Sequence, residues 1–154
     1  MVEKIVTGGQ TGADRAALDT ALELGLAVGG WVPKGRWAED GAVPAHYPNL
    51  CETESDDPAV RTELNVRDSD ATVVLSHGEP SGGSALTMEA AERIGRSFLQ
   101  IDLSETSIPD AARQLREWLA VERPQMLHVA GPRSSEDPEI YHAVKRVLAS
   151  ALME

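Results

Sequence analysis

Lys4-Ile5-Val6-Thr7-Gly8-Gly9-Gln10-Thr11-Gly12-Ala13-Asp14-Arg15, followed by an apolar-periodic run to Leu24, is the stretch whose reading decides the fold. Its first residues read as a short buried strand, its glycines as a tight turn and the remainder as a helix. Glycine is costly in a regular element, about 0.5–1 kcal/mol relative to alanine. A strand-to-helix turn accepts that cost where the backbone takes a positive φ or approaches a ligand closely. The helix that follows points unpaired N–H groups and the positive end of its dipole back at the turn. The turn is therefore a candidate seat for phosphate or another tetrahedral oxyanion. It matches neither the phosphate-loop pattern, lacking a closing Gly-Lys-Ser/Thr, nor the Gly-x-Gly-x-x-Gly fingerprint. A structural reading stands beside the ligand one. Thr11 and Asp14 have capping-box spacing, so Asp14 could serve only backbone donors.

Working outward, 154 residues suit one domain, 1–154, with a sizeable core. The hydrophobic fraction of 42% is ordinary for a folded chain. A net charge of −11 argues against nucleic acid as a partner, since such binding draws on basic patches. It also means that an anion site must work through local N–H groups and a few cations. One cysteine, Cys51, excludes an intrachain disulfide and a multi-cysteine metal site. With no signal-peptide pattern and no membrane-length apolar run, the expectation is a cytoplasmic protein with no membrane partner.

Along the chain, Ala17, Leu18, Ala21 and Leu22 give the first helix, about Gly12 to Leu24, a narrow apolar face, and Gly25 is placed to end it. Leu26-Ala27-Val28 resembles a second strand. From Gly29 to Pro58 the periodicity fades into a long, proline- and glycine-rich loop, the kind that is functional or disordered; Trp31, Trp37 and Tyr47 argue for order. Within it, Lys34 and Arg36 could reach over the first turn toward an anion, or simply balance Glu39 and Asp40 on a solvated turn. Val60 to Arg67 reads as a helix, from which Arg61, Asn65 or Arg67 could be aimed at the sheet.

Ala71-Thr72-Val73-Val74-Leu75 is a parallel strand buried on both faces. It feeds a second glycine- and hydroxyl-rich turn, Ser81-Gly82-Gly83-Ser84, that opens a helix through Thr87 and Glu89 to Ile94, with Ser81 or Ser84 as N-cap. Ser97 to Ile101 is a strand, and Ser107 with Asp110 caps a helix running to about Val121. Gln125 to Ala130 is a fifth strand. Gly131-Pro132-Arg133-Ser134-Ser135 is a third such turn, where Arg133 could hold a phosphate, or Ser134 and Asp137 could form only a capping box. The alternation predicts an α/β fold: a three-layer sandwich around a parallel sheet of about five strands. At the carboxyl edge of such a sheet, loops from neighbouring strands converge on one crevice, so two helix starts could face one ligand.

His46, His77, His128 and His142 are scattered, and no spacing makes a metal site, so none is expected. His128, within a strand, reads as a core or edge residue. Glu89 is the acid of most interest. Beside a bound nucleoside phosphate it could activate water or stabilise a cationic sugar; otherwise it is an exposed helical carboxylate.

These motifs carry a resemblance. Gly8 to Arg15, Trp31 to Arg36 with Glu39-Asp40-Gly41, Arg61 to Asp70, Gly82 to Thr87 and Val129 to Arg133 together resemble the bacterial "putative molybdenum carrier" family over nearly the whole length. The resemblance implies a Rossmann-like domain in a group that binds nucleotides or related ligands and commonly self-associates, so a homo-oligomer is expected. The group includes lysine-decarboxylase-like phosphoribohydrolases, whose Pro-Gly-Gly-x-Gly-Thr-x-x-Glu motif aligns with Ser81 to Glu89; the double glycine and glutamate are kept, while Ser81, Ala85 and Leu86 replace the proline, third glycine and threonine. It implies a small anionic ligand: molybdenum cofactor, molybdate or a nucleotide. The candidate binding residues are Gly8, Gly9, Gln10, Thr11, Gly12, Asp14, Arg15, Lys34, Arg36, Gly82, Gly83, Ser84, Thr87 and Arg133. The alternative is a nucleotide N-glycosidic hydrolase using Glu89.

Overall fold

The apolar runs become a single layer of strands. The computed structural model describes residues 1–153, with elements β1 (Lys4–Val6), α1 (Ala13–Glu23), β2 (Ala27–Val32), β3 (Trp37–Ala38), β4 (Gly41–Ala42), β5 (Leu50–Glu52), α2 (Pro58–Asp68), β6 (Ala71–Ser76), α3 (Gly82–Ile94), β7 (Ser97–Asp102), α4 (Ile108–Glu122), β8 (Met126–Ala130) and α5 (Ile140–Leu152). Six strands form one parallel sheet in the order β5-β2-β1-β8-β6-β7. In register, Ile5 lies between Val28 and Leu127. Helix α5 packs on α1 and α4, and α2 packs on α3, giving the three-layer, Rossmann-like arrangement that right-handed crossovers produce.

The larger core lies between the sheet and the α1, α4 and α5 layer. Ile5, Leu18, Leu75, Leu115, Leu127, Ile140 and Leu148 are fully buried there, each contributing about 1.5–3 kcal/mol of transfer free energy. The other layer has a smaller cluster around Val66, Ala90 and Ala91. All of β6 is buried, as its β-branched run requires. His128 on β8 is 1% exposed, with Nδ1 3.2 Å from Thr72 Oγ1. Burial, with Arg61 nearby, pushes its pKa down to about 3, so it is a neutral core residue.

The sheet has six strands where about five were expected. The sixth, β5, hides in the proline-rich segment because it is three residues long, ends on exposed Cys51 and Glu52, and pairs along one side only with β2. The same segment holds the β3–β4 hairpin. The chain winds outward from β1 to β5, crosses to β6 and β7, and returns β8 between β6 and β1. Connections therefore diverge at the carboxyl ends of the central strands, the place where α/β sheets open a crevice. Gly131 makes that junction tight: a Cβ there would lie 2.4 Å from the Leu75 carbonyl oxygen and 2.7 Å from the Ala13 Cβ.

Candidate functional site

A cleft of about 310 Å³ opens at this crevice. Its wall is assembled from four junctions: Gln10 and Asp14 at the start of α1; Asp57, Pro58, Ala59, Arg61 and Thr62 at the start of α2; Gly82, Gly83, Ser84 and Thr87 at the start of α3; and Ala130, Gly131, Arg133 and Glu136 after β8. Trp37 of β3, 44% exposed, and Leu86 add apolar surface. The volume is at the small end for ligand sites and more than a bare tetrahedral oxyanion fills.

At α3, Ser81 occupies the N-cap position, but its hydroxyl makes no capping bond. The first-turn amides of Gly82 and Gly83, both in the cleft wall, are therefore left for partners outside the helix. At α2, Asp57 caps conventionally, accepting from the Ala59 amide at 3.0 Å. That helix contributes Arg61, whose side chain is 14% exposed. Its Nη1 lies 3.7 Å from Asp14 Oδ2, while its Nε is buried with no hydrogen-bond partner. Gly8 makes room for this guanidinium: a Cβ at position 8 would sit 1.9 Å from Nη1. Asp14 itself is 4% exposed. Burial outweighs the pull of Arg61 and the Gln10 amide, and raises its pKa to about 6.

The first turn is built differently from the expectation. Its amides are already engaged within the chain: Gly9 donates to Thr7 Oγ1 at 3.1 Å, Gln10 to Asp14 Oδ2 at 3.1 Å, Thr11 to Gln10 Oε1 at 3.0 Å and Ala13 to the Pro132 carbonyl at 3.2 Å. The Thr11–Asp14 capping box does not form, because Asp14 reaches back to Gln10 and the Thr11 hydroxyl turns to Glu39. Thr11 and Arg15 instead tie down the segment that carries Trp37. Arg15 grips Asp40 with two bonds, at 2.5 and 2.8 Å, and also donates to the Gly9 carbonyl. Glu39 accepts from the Thr11 hydroxyl and from the Ser135 amide and hydroxyl, and these bonds hold its pKa below the usual carboxylate range. Its amide donates to Gln10 Oε1 at 2.9 Å.

Of the residues singled out from sequence, Gln10, Asp14, Gly82, Gly83, Ser84, Thr87 and Arg133 come together in the cleft wall. Gly8, Gly9, Thr11, Gly12 and Arg15 lie behind it, shaping and bracing it. Lys34 and Arg36 are outside. Lys34 is exposed, and Arg36 donates to the Val43 and Pro44 carbonyls of its own loop. Glu89 is exposed on α3 and outside the wall, since two residues beyond Thr87, about 200° round the helix, the chain faces away from the sheet. The spacing of Ser134 and Asp137 does not cap α5, which begins at Ile140; Asp137 instead contacts His77 Nδ1 at 2.5 Å.

Arg61, Thr62 and Trp37 are cleft residues that the candidate set omits. The signal for Arg61 was available: a cation one turn into a helix that precedes the central buried strand. Arg133 lies 3.4 Å from Glu136 and 3.7 Å from Glu39. A larger cavity, about 490 Å³, sits at the other edge of the sheet among Val2, Leu24, Leu26, Leu119 and Leu152. It is the poorer candidate, because its cation, Arg116, is committed to the Ser150 carbonyl at 3.1 Å. Among the described residues no three His, Cys, Asp or Glu side chains cluster as a metal-ligand set, and no helix is long and apolar enough to cross a membrane.

With this geometry in hand, the chain can be set beside known proteins. Residues 5–152 match the model of the circularly permutated YpsA SLOG family. A crystal structure of a protein named putative molybdenum carrier protein, from Syntrophus aciditrophicus SB, is 50% identical, covers 98% of this chain and 95% of its own, and superposes with a TM-score of 0.96. No curated protein matches the chain.

Proposed function

The chain belongs to the circularly permutated YpsA SLOG family, and we propose that it is a binding protein for a phosphorylated small molecule, seated in the cleft between the starts of α1, α2 and α3. The observation that carries this reading is the Arg61 Nε, a buried donor without an acceptor. A buried unpaired donor costs about 1–3 kcal/mol, more when charged, and an anion in the cleft would remove that cost. The uncapped start of α3 and the neighbouring Arg133 favour the same kind of guest. Trp37 and Leu86 offer a face for an organic portion. A nucleotide and a molybdenum-bearing phosphorylated cofactor both fall in this class, the second suggested by the name of the Syntrophus protein. The hydrolase alternative rests on Glu89, which lies outside the cleft wall, and nothing else favours it.

Binding is tested by titrating a nucleoside 5′-monophosphate into isotope-labelled protein at pH 6 and following amide NMR signals. Shifts should concentrate at Gln10, Gly82 and Gly83 and vanish in Arg61→Gln. Ligand at a hundredfold excess over Kd stabilises by about 2.7 kcal/mol, about 5–10 °C in Tm for a chain of this size. Absence of shifts with every phosphate tried, or shifts elsewhere, would refute the reading. Mass spectrometry of small molecules that co-purify would name the natural ligand.

A further inference from the structure

Resting on the cleft as the binding site, we propose that Asp14 is a specificity-determining residue, which admits anions that carry a proton to donate and rejects bare tetrahedral dianions such as sulfate and molybdate. The cleft is not a simple basic pocket. Arg61 and Arg133 share its wall with Asp14, Asp57 and Glu136. Two of these acids are committed: Asp57 accepts from the Ala59 amide, and Glu136 faces the Arg133 guanidinium and amide. Asp14 is different. It is buried in the wall beside the guanidinium whose Nε lacks a partner, so a guest oxyanion drawn to Arg61 also meets the Asp14 carboxylate. An ionised carboxylate only accepts hydrogen bonds.

A phosphate that retains a proton, whether HPO4²⁻ or a phosphomonoester in its singly ionised form with a second pKa of about 6, can give it to Asp14 while its other oxygens face Arg61 and the α3 amides. A sulfate or molybdate dianion has no proton to give and meets unrelieved repulsion, an element built against the wrong guest. Asp14 could accept such a guest only by taking up a proton itself, and burial brings that protonation within reach, near pH 6. The charged and titratable groups facing Asp14 are Arg61 from α2 and Arg15 from its own helix, with neutral His128 beneath Arg61 on β8.

The probes are inorganic phosphate, sulfate and molybdate, titrated at pH 7.5 while the Gln10 and Gly83 amide signals are followed. Charge alone would not separate them, because phosphate at pH 7.5 is mostly HPO4²⁻ and carries the same charge as the other two. The expected result is a separation: phosphate binds at least about tenfold more tightly than either. In Asp14→Asn the ratio should collapse toward one, through a gain for sulfate. In the unsubstituted protein sulfate affinity should rise about tenfold as pH falls from 7.5 to 5, and in Asp14→Asn it should stay flat. The same spectra report whether the variant is folded, and the pH series on the unsubstituted protein needs no variant. Equal affinities for phosphate and sulfate with no pH dependence would overturn the role of Asp14 and leave the cleft as an anion site. No binding of phosphate at pH 7.5, and none of a phosphomonoester at pH 6, would end both.

Discussion

Gly8→Ala separates the fold from the site. Gly8 does not need a positive φ, so alanine fits the backbone and should gain about 0.4–1 kcal/mol by restricting the unfolded chain. Its methyl group, however, would stand 1.9 Å from Arg61 Nη1, 2.5 Å from Cζ and 2.9 Å from Cδ. These are the outer atoms of a flexible side chain, and they can swing away. Arg61 would then leave both Asp14 and the cleft. Asp14, already raised to about 6, loses its main cationic support and shifts further up, so it can take a proton rather than remain a buried unpaired charge. Folding stability should therefore change little, about 3 °C or less in Tm at 2–4 °C per kcal/mol. Anion binding should not escape so lightly. A hydrogen bond to a charged group is worth about 1.5–3 kcal/mol, so phosphate affinity should fall about 10- to 150-fold. Differential scanning fluorimetry with and without a phosphomonoester reads both quantities at once. Gly131→Ala is the contrast, because its methyl group meets the Leu75 carbonyl oxygen at 2.4 Å, in backbone that cannot move aside. An unfolded Gly8→Ala protein, or one that binds phosphate as before, would refute the role given to Arg61.

Other perturbations test the frame around the cleft. Asp19 accepts hydroxyl protons from both Tyr47, at 2.6 Å, and Tyr141, and burial together with Asp19 holds both phenols well above their ordinary pKa. Asp19→Ala should strand two part-buried hydroxyls and cost about 2–4 kcal/mol, read as a drop of about 5–12 °C in Tm. Arg15→Ala removes the fork on Asp40 and should hasten amide hydrogen exchange at Trp37 to Ala42 with a global loss of only about 1 kcal/mol; unchanged exchange there would show that Glu39 holds the segment alone. His128 gives a pH signature. Unfolded, it takes a proton below about 6.5, and folded, only near 3, so it withdraws stability progressively as pH falls through that window. Asp14 acts in the opposite sense: its raised folded pKa adds stability at low pH that is lost as pH rises through about 6. His128→Gln should flatten the acid limb of the unfolding profile, and an unaltered limb would contradict the neutral, buried histidine.

The layered α/β fold was legible because it depends on local patterns. The unbroken run Ala71 to Leu75 could only be a buried strand, Ser107 with Asp110 did cap α4, and three glycine-rich turns marked where strands gave way to helices. Strand β5 was not legible, since three residues pairing through backbone on one side leave no trace in hydrophobic periodicity. The first turn was legible as a junction, but whether its amides stood open to a guest was not. Which acceptors its amides find depends on Asp14, Gln10 and Pro132 arriving in three dimensions.

What the sequence determined by itself, then, was the alternation of elements and the chemistry at their junctions, because both follow from residue types a few positions apart. Only the tertiary structure decided which junctions meet. The return of β8 between β1 and β6 sets Gln10, Gly83 and Arg133 around one cleft, and the packing of α2 sends Arg61 across 47 residues of chain to Asp14 while Lys34 and Arg36 are spent on their own loop or left in solvent. The physical reason is burial. A cation acquires a site when folding strips its water and leaves a donor unpaired, and that condition is a property of the surroundings rather than of the residue.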